Sequence, residues 1–192
     1  MFNSRIVSRR ALLADASKLT LSAGAIALLA GKSAIAHDAD PAKDTGILNI
    51  ALALEHEAIA AYQIGAESGL LAKEVLPVAV LFQSHHKAHR DALAATVRKL
   101  GGTPAAEQSM DAYAKSSKLN VAAIKSQGDV LALAQRLELG AANAYLGVIP
   151  AFGDRELAKI AGRLAADETM HYTALTQALG GKLPSAALSF GG

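Results

Sequence analysis

Three kinds of polar residue recur in this chain at spacings that suit metal chemistry. Glu55 sits in an apolar setting, Leu54-Glu55-His56-Glu57-Ala58-Ile59-Ala60-Ala61-Tyr62, and Tyr62 follows it by seven residues. Seven residues are close to two helical turns, about 10.5 Å along the axis, so both side chains share one stripe. The same spacing returns at Glu138 and Tyr145, in Leu137-Glu138-Leu139-Gly140-Ala141-Ala142-Asn143-Ala144-Tyr145. Glu168-Thr169-Met170-His171 is an E-x-x-H pattern, and His86-Lys87-Ala88-His89 is its H-x-x-H counterpart. Residues at i and i+3 lie about 60° apart on a helix, so two such side chains reach one point. A carboxylate on an apolar stripe is costly to bury without a partner, and a metal ion is a partner that imidazoles can share. Glu55, His86, His89, Glu138, Glu168 and His171 are therefore the candidate metal ligands.

Their polar neighbours are expected elsewhere. His85 and His56 each lie about 100° from a candidate ligand, and Glu57 about 200° from Glu55, which suits solvent. Tyr172 reads as packing. No serine stands in a G-x-S-x-G setting, and no glycine-rich phosphate loop occurs.

Four helices must carry these residues. The first is expected over 45–68, capped by Asp44 or Thr45, with Gly65 and Gly69 weakening and then ending it. The second begins near Pro77 and stops at Gly101-Gly102-Thr103-Pro104. The third spans 129–148 with Asp129 as cap, and the fourth 154–179 with Asp154 as cap and Gly180-Gly181 as stop. Residues 101–126 form a long crossover with a short helix inside 105–116, which lets the second and third helices run parallel. The chain also repeats: Glu55 to Glu138 is 83 residues and His89 to His171 is 82, and both His helices end in Leu-Gly-Gly. Two matches at nearly one offset point to a pseudo-twofold bundle, all-α in class.

Composition agrees. The chain has 192 residues and is 52% hydrophobic but only 4% aromatic, enough for one helical domain. With no cysteine, disulfides, thiolate metal sites and cysteine nucleophiles are excluded. Residues 37–192 carry a net charge of −2, and no basic stripe with interleaved aromatics, so nucleic-acid binding is not expected.

Residues 1–36 carry a net +4 and read as an address. Ser8-Arg9-Arg10-Ala11-Leu12-Leu13 resembles a twin-arginine export signal, and residues 19–31 form an uncharged run too short to span a bilayer. Ala34-Ile35-Ala36 puts small residues before an expected cleavage at His37. The mature chain would be periplasmic or otherwise extracytoplasmic, touching a membrane only through that signal. Residues 37–44 read as a flexible lead, 45–180 as the bundle and 181–192 as a tail.

With E-x-x-H on the fourth helix, a lone Glu on the first and third, Glu-to-Tyr spacings of seven, and Leu93 and Leu175 four residues after each His, residues 45–180 resemble the ferritin-like superfamily of di-iron and di-manganese carboxylate proteins. The resemblance implies an antiparallel four-helix bundle and two non-haem iron ions, with manganese or zinc as alternatives. It further implies an oxidoreductase acting with dioxygen or peroxide, with Tyr62 and Tyr145 as hydrogen-bond or one-electron donors beside the metal ligands. The alternatives are a non-catalytic metal-binding or storage protein with a mono- or dinuclear site, and a metal-free bundle whose histidines serve an interface. Lacking cysteine, the chain has no rubredoxin-type module, so electrons would come from an external donor; a homo-oligomer stays open. One position departs from the pattern. His86 stands where the family offers a bridging Glu, so three carboxylates and two divalent ions leave a net charge of +1.

Overall fold

The computed structural model describes residues 40–191, so the expected export signal and expected cleavage point lie outside the described residues. Five α-helices follow: α1 Pro41–Glu67, α2 Leu76–Lys99, α3 Met110–Ala114, α4 Gln127–Val148 and α5 Arg155–Ala178. Short 3-10 turns occur at Val121–Ala123 and Ile149–Ala151. No strand occurs among the described residues.

The helix ends show why these segments form. Asp40 caps α1, accepting from the backbone N–H groups of Ala42 at 3.1 Å and Lys43 at 3.2 Å, and Pro41 fills the first position, where no N–H is needed. The helix therefore begins four residues ahead of the expected start at 45. Residues 41–44 are helix rather than flexible lead, and Asp44 is buried, accepting from the Gly153 N–H at 3.2 Å. The cap of α4 is Ser126, not Asp129. Asp129 sits in the first turn and accepts from both Ser126 Oγ and the Lys125 N–H. Asp154 caps α5 as expected.

The two Leu-Gly-Gly endings are one device used twice. Gly101 and Gly180 adopt left-handed φ values of 82° and 69°. Gly102 then donates to the Val97 carbonyl and Gly181 to the Thr176 carbonyl, each at 2.9 Å, which is the Schellman closure.

Helices α1 and α2 form one antiparallel hairpin, and α4 and α5 the other. Gln135 on α4 reaches Thr176 on α5 at 2.8 Å, and the close approach of Gly102 to Thr45 joins opposite ends of the first pair. Gly65 has a packing reason to be glycine: a Cβ there would stand 2.8 Å from Val130 Cγ1, where α1 meets α4. The crossover leaves α2 and α4 parallel and packs against α1 and α4, burying Tyr113 and Leu119 with Ala60, Ala61 and Leu133. Asn49 fixes its start, donating to the Thr103 carbonyl at 3.0 Å and accepting from the Ala105 N–H at 2.7 Å. The short helix within it covers only part of the expected 105–116 span. The tail folds back: Phe190 meets the Tyr172 ring edge-on at 5.5 Å, and Gly191 donates to Asn143 at 2.8 Å.

Two apolar layers close the bundle. Leu48, Leu52, Leu93, Val97 and Leu157 fill one end, while Tyr62, Ala79, Phe82, Leu131 and Leu175 line the other. Between them lies a layer of buried charge.

Candidate metal centre

All six candidate ligands enter that layer, and none is more than 8% exposed. Glu55 comes from α1, His86 and His89 from α2, Glu138 from α4, and Glu168 and His171 from α5. They fall into two groups that could each hold a metal ion: Glu55, His86, His89 and Glu168, and His86, Glu138, Glu168 and His171. Within each group the offered ligand atoms all lie within 4.8 Å of one another.

Glu168 and His86 belong to both groups, but in different ways. Glu168 Oε1 lies 3.2 Å from His89 Nδ1, and its Oε2 lies 3.2 Å from His171 Nδ1. One carboxylate thus spans the two halves. His86 instead stands between two carboxylates, with Nδ1 2.8 Å from Glu55 Oε2 and Nε2 3.1 Å from Glu138 Oε1. Carboxylates only accept, so both ring nitrogens donate and His86 is an imidazolium. Burial opposes that charge, but Glu138 and Glu55 outweigh burial and raise its pKa well above the ordinary range.

The other two imidazoles are oriented from behind. His89 turns Nε2 toward Asp167 Oδ2 at 3.2 Å, and His171 turns Nε2 toward His85 Nδ1 at 2.9 Å. Each therefore aims Nδ1 at the centre. Fixing the far nitrogen of a histidine is how proteins select the tautomer that can ligate. His85 suits the acceptor role, because burial and then the charge of His171 lower its pKa. His85 and Asp167 were not legible as site residues. His85 does lie off the ligand stripe, but it reaches sideways across the α2–α5 seam to the back of His171.

The tyrosines cross over. Tyr62 donates to Glu138, and Tyr145 donates to Glu55, each reaching the carboxylate of the other helix. The equal Glu-to-Tyr spacing thus builds a reciprocal pair, with α1 and α4 antiparallel. Burial, then the neighbouring carboxylate charge, pushes both phenols well above their usual range, so both remain donors. Tyr145→Phe removes a charge-assisted bond from a buried carboxylate. The expected cost is about 1.5–3 kcal/mol, a fall in Tm of about 3–12 °C, read by thermal denaturation of the metal-free protein.

The remaining polar residues are accounted for outside the centre. His56 is buried and turns Nε2 toward the Ala105 carbonyl at 3.3 Å. Glu57 pairs with Lys118 at 3.3 Å. Gln83, one turn before His86, donates to the Ile59 carbonyl and to Gln63.

The donors present fit a metal ion. His89 Nδ1, Glu138 Oε2 and Glu168 Oε1 are buried with no hydrogen-bond partner, although His89 Nδ1 and Glu168 Oε1 lie only 3.2 Å apart. These three buried atoms face one layer, and a cation that displaces the His89 proton would satisfy all of them. Hard carboxylates with borderline imidazoles suit first-row ions such as iron, manganese or zinc.

Comparison with known proteins agrees with this picture. A crystal structure of a conserved hypothetical protein from Mycobacterium tuberculosis is similar in fold, with a TM-score of 0.63 at 23% identity over 77% of this chain and 97% of that one. No curated protein matches the chain. A family model described as the ferritin-like domain matches residues 43–181. That span contains all four long helices almost entirely and every residue of the Glu/His layer, and by it the chain belongs to the ferritin-like domain family.

Proposed function

We propose that this protein is exported by the twin-arginine route and holds two metal ions, iron foremost, as a non-haem oxidoreductase acting with dioxygen or peroxide. The observation that carries the reading is Glu168, whose two oxygens face the two ligand groups while three buried polar atoms of the layer lack hydrogen-bond partners. Glu55 and His89 would hold one ion, Glu138 and His171 the other, with Glu168 and His86 available to both. Held by these six residues, a redox-active metal pair would supply one- or two-electron chemistry toward dioxygen or peroxide, with an external donor as the reductant. Tyr62 and Tyr145 keep the Glu138 and Glu55 carboxylates oriented by hydrogen bonds. A pocket of about 350 Å³ between α1 and α4 reaches His86 and Glu138, lined mainly by apolar residues such as Leu54, Leu137 and Ala141 with Lys118 and Arg136 beside them, which supports a route for a small oxidant.

His86 favours a second reading, a metal-binding or storage protein without turnover. It replaces a bridging carboxylate, so the second ion is held by one negative charge fewer. Peroxide consumption by the iron-loaded protein, measured in a single turnover, separates the two. An enzyme changes its iron absorption spectrum as peroxide disappears; an unchanged spectrum leaves only the storage reading.

Binding is coupled to protons. Burial opposes charge on His89, yet Glu168 and Glu55 raise its pKa to about 10, and His171 is raised by Glu138 and Glu168 against the same opposition. Burial pushes Glu55 and Glu138 up, but the imidazoles beside them hold both below 4.5. Raised histidines stabilise the metal-free fold fully below their unfolded value of 6.5, and that contribution is lost as pH climbs through about 10. Lowered carboxylates stabilise it above 4.5, and that is lost as pH falls. Metal-free protein is therefore expected to be most stable between 4.5 and 6.5. Metal loading must displace imidazole protons, so titration calorimetry at about pH 7 in buffers of different ionisation enthalpy should show about two to three protons released per chain. No dependence on buffer would contradict this.

A further inference from the structure

The two ends of the bundle are not equally filled. Beyond one side of the Glu/His layer, Leu48, Leu52, Leu93 and Val97 pack solidly. On the other side α1, α2 and α4 turn small residues inward, among them Gly65, Ala79 and Ala134, and together with Leu175 of α5 leave a cavity of about 120 Å³. Its lining is almost wholly apolar. Two described lining side chains carry a polar group: Glu74, and Tyr62, whose hydroxyl is already donated to Glu138. The lining residues that are exposed, Glu74, Val78, Ala174 and Ala178, place the mouth between the start of α2 and the end of α5.

The floor is a partition of two rings. Tyr62 and Phe82 meet edge to face at 6.3 Å. Behind them, Phe82 stacks on the His171 imidazole at 4.2 Å, and Tyr62 lies 5.4 Å from the His86 ring. A molecule in the cavity would thus be separated from the candidate ligands by one aromatic layer. An apolar cavity of this order, lined by aliphatic and aromatic side chains, stays dry and takes up apolar guests of benzene size. Leaving such a volume empty is costly, and small residues from three helices create it together.

We propose that this hollow end is a binding site for a neutral apolar molecule, the size of benzene or of a short alkyl chain. Such a guest has no polar group to satisfy, and the cavity offers none that is free apart from Glu74. The Glu74 carboxylate disfavours an anionic head group near the mouth. As a substrate site this rests on the metal reading above; the binding itself does not.

The test is benzene added to the metal-free protein, followed by methyl NMR, with metal content measured separately on the loaded protein. Wild type should show saturable shifts of the Leu131, Ala134 and Leu175 methyls. Ala134→Leu fills the cavity, and Val78→Trp, at an exposed mouth position, obstructs it. Each should weaken benzene binding at least about 10-fold while metal content per chain equals that of wild type. Absence of saturable shifts in wild type, or equal affinity in wild type and both variants, would overturn the proposal. Failure of the metal reading would show differently, as protein that binds benzene but no metal.

Discussion

With two ions held as proposed, Glu168→Gln is expected to abolish binding of both, whereas Glu55→Gln or Glu138→Gln abolishes binding of one. The difference follows from position. Glu55 and Glu138 each belong to one ligand group, but Glu168 belongs to both, with one oxygen 3.2 Å from His89 and the other 3.2 Å from His171. An amide keeps the shape and loses the charge, and its NH2 would aim protons at a cation. Losing a residue that merely orients a ligand costs about 10–100-fold in metal affinity, so losing a carboxylate shared by two ions should cost more than about 100-fold for each. Glu168 is also the carboxylate whose pKa burial raises despite His171 and His89 beside it. In the metal-free state it is the one most weakly held as an anion, and the Gln variant should fold with little loss of Tm. A variant that folds but retains two tightly bound ions would remove Glu168 from the centre.

His86→Glu should have the opposite pattern, unstable when empty and tight when loaded. In the metal-free layer, His86 is the cation between Glu55 and Glu138, at 2.8 and 3.1 Å. Replacing it with Glu puts four carboxylates against two imidazoles in a layer almost closed to water. Breaking a buried pair this way costs about 3–5 kcal/mol, which for a domain of this size lowers Tm by roughly 6–20 °C. Adding metal reverses the balance. Four carboxylates would neutralise two divalent ions, where wild type would leave a net +1, and the added carboxylate would stand where the ferritin-like pattern offers a Glu. Metal at 100 times its dissociation constant contributes about 2.7 kcal/mol of stability, so the loaded variant should recover most of the lost Tm. Calorimetric scans with and without metal read both effects. A variant as stable as wild type when empty would mean that His86 does not hold the layer together.

Much of this arrangement was legible in the sequence because helices convert spacing into direction. The i, i+3 pairs, the seven-residue Glu-to-Tyr intervals and the near-equal offsets needed only helical geometry to bring six residues into one layer. The Leu-Gly-Gly stops were legible for a similar reason, since a left-handed residue after a helix favours glycine. What lay outside reach were relations between helices. Nothing along the chain says that Tyr62 serves Glu138 rather than its own Glu55, because that depends on how α1 meets α4. His85 was set aside for lying about 100° from His86, yet a neighbouring helix brings His171 to it. Asp167 precedes a ligand and so reads as its exposed neighbour, but it is half exposed and still reaches His89. Along the chain Asp44 reads as the cap of α1, while Asp40 and Pro41 do that work and Asp44 is buried, accepting from the Gly153 N–H just before α5. His86 was legible as a departure from the pattern, but its role as the cation between two carboxylates was not.

The most direct test is the metal content of the untagged protein by elemental analysis, together with a His171→Ala variant. The account predicts about two equivalents of a first-row transition metal per chain in wild type, with iron foremost, and a clear loss in the variant. Less than about 0.2 equivalents of any transition metal, in wild type and variant alike, would contradict it.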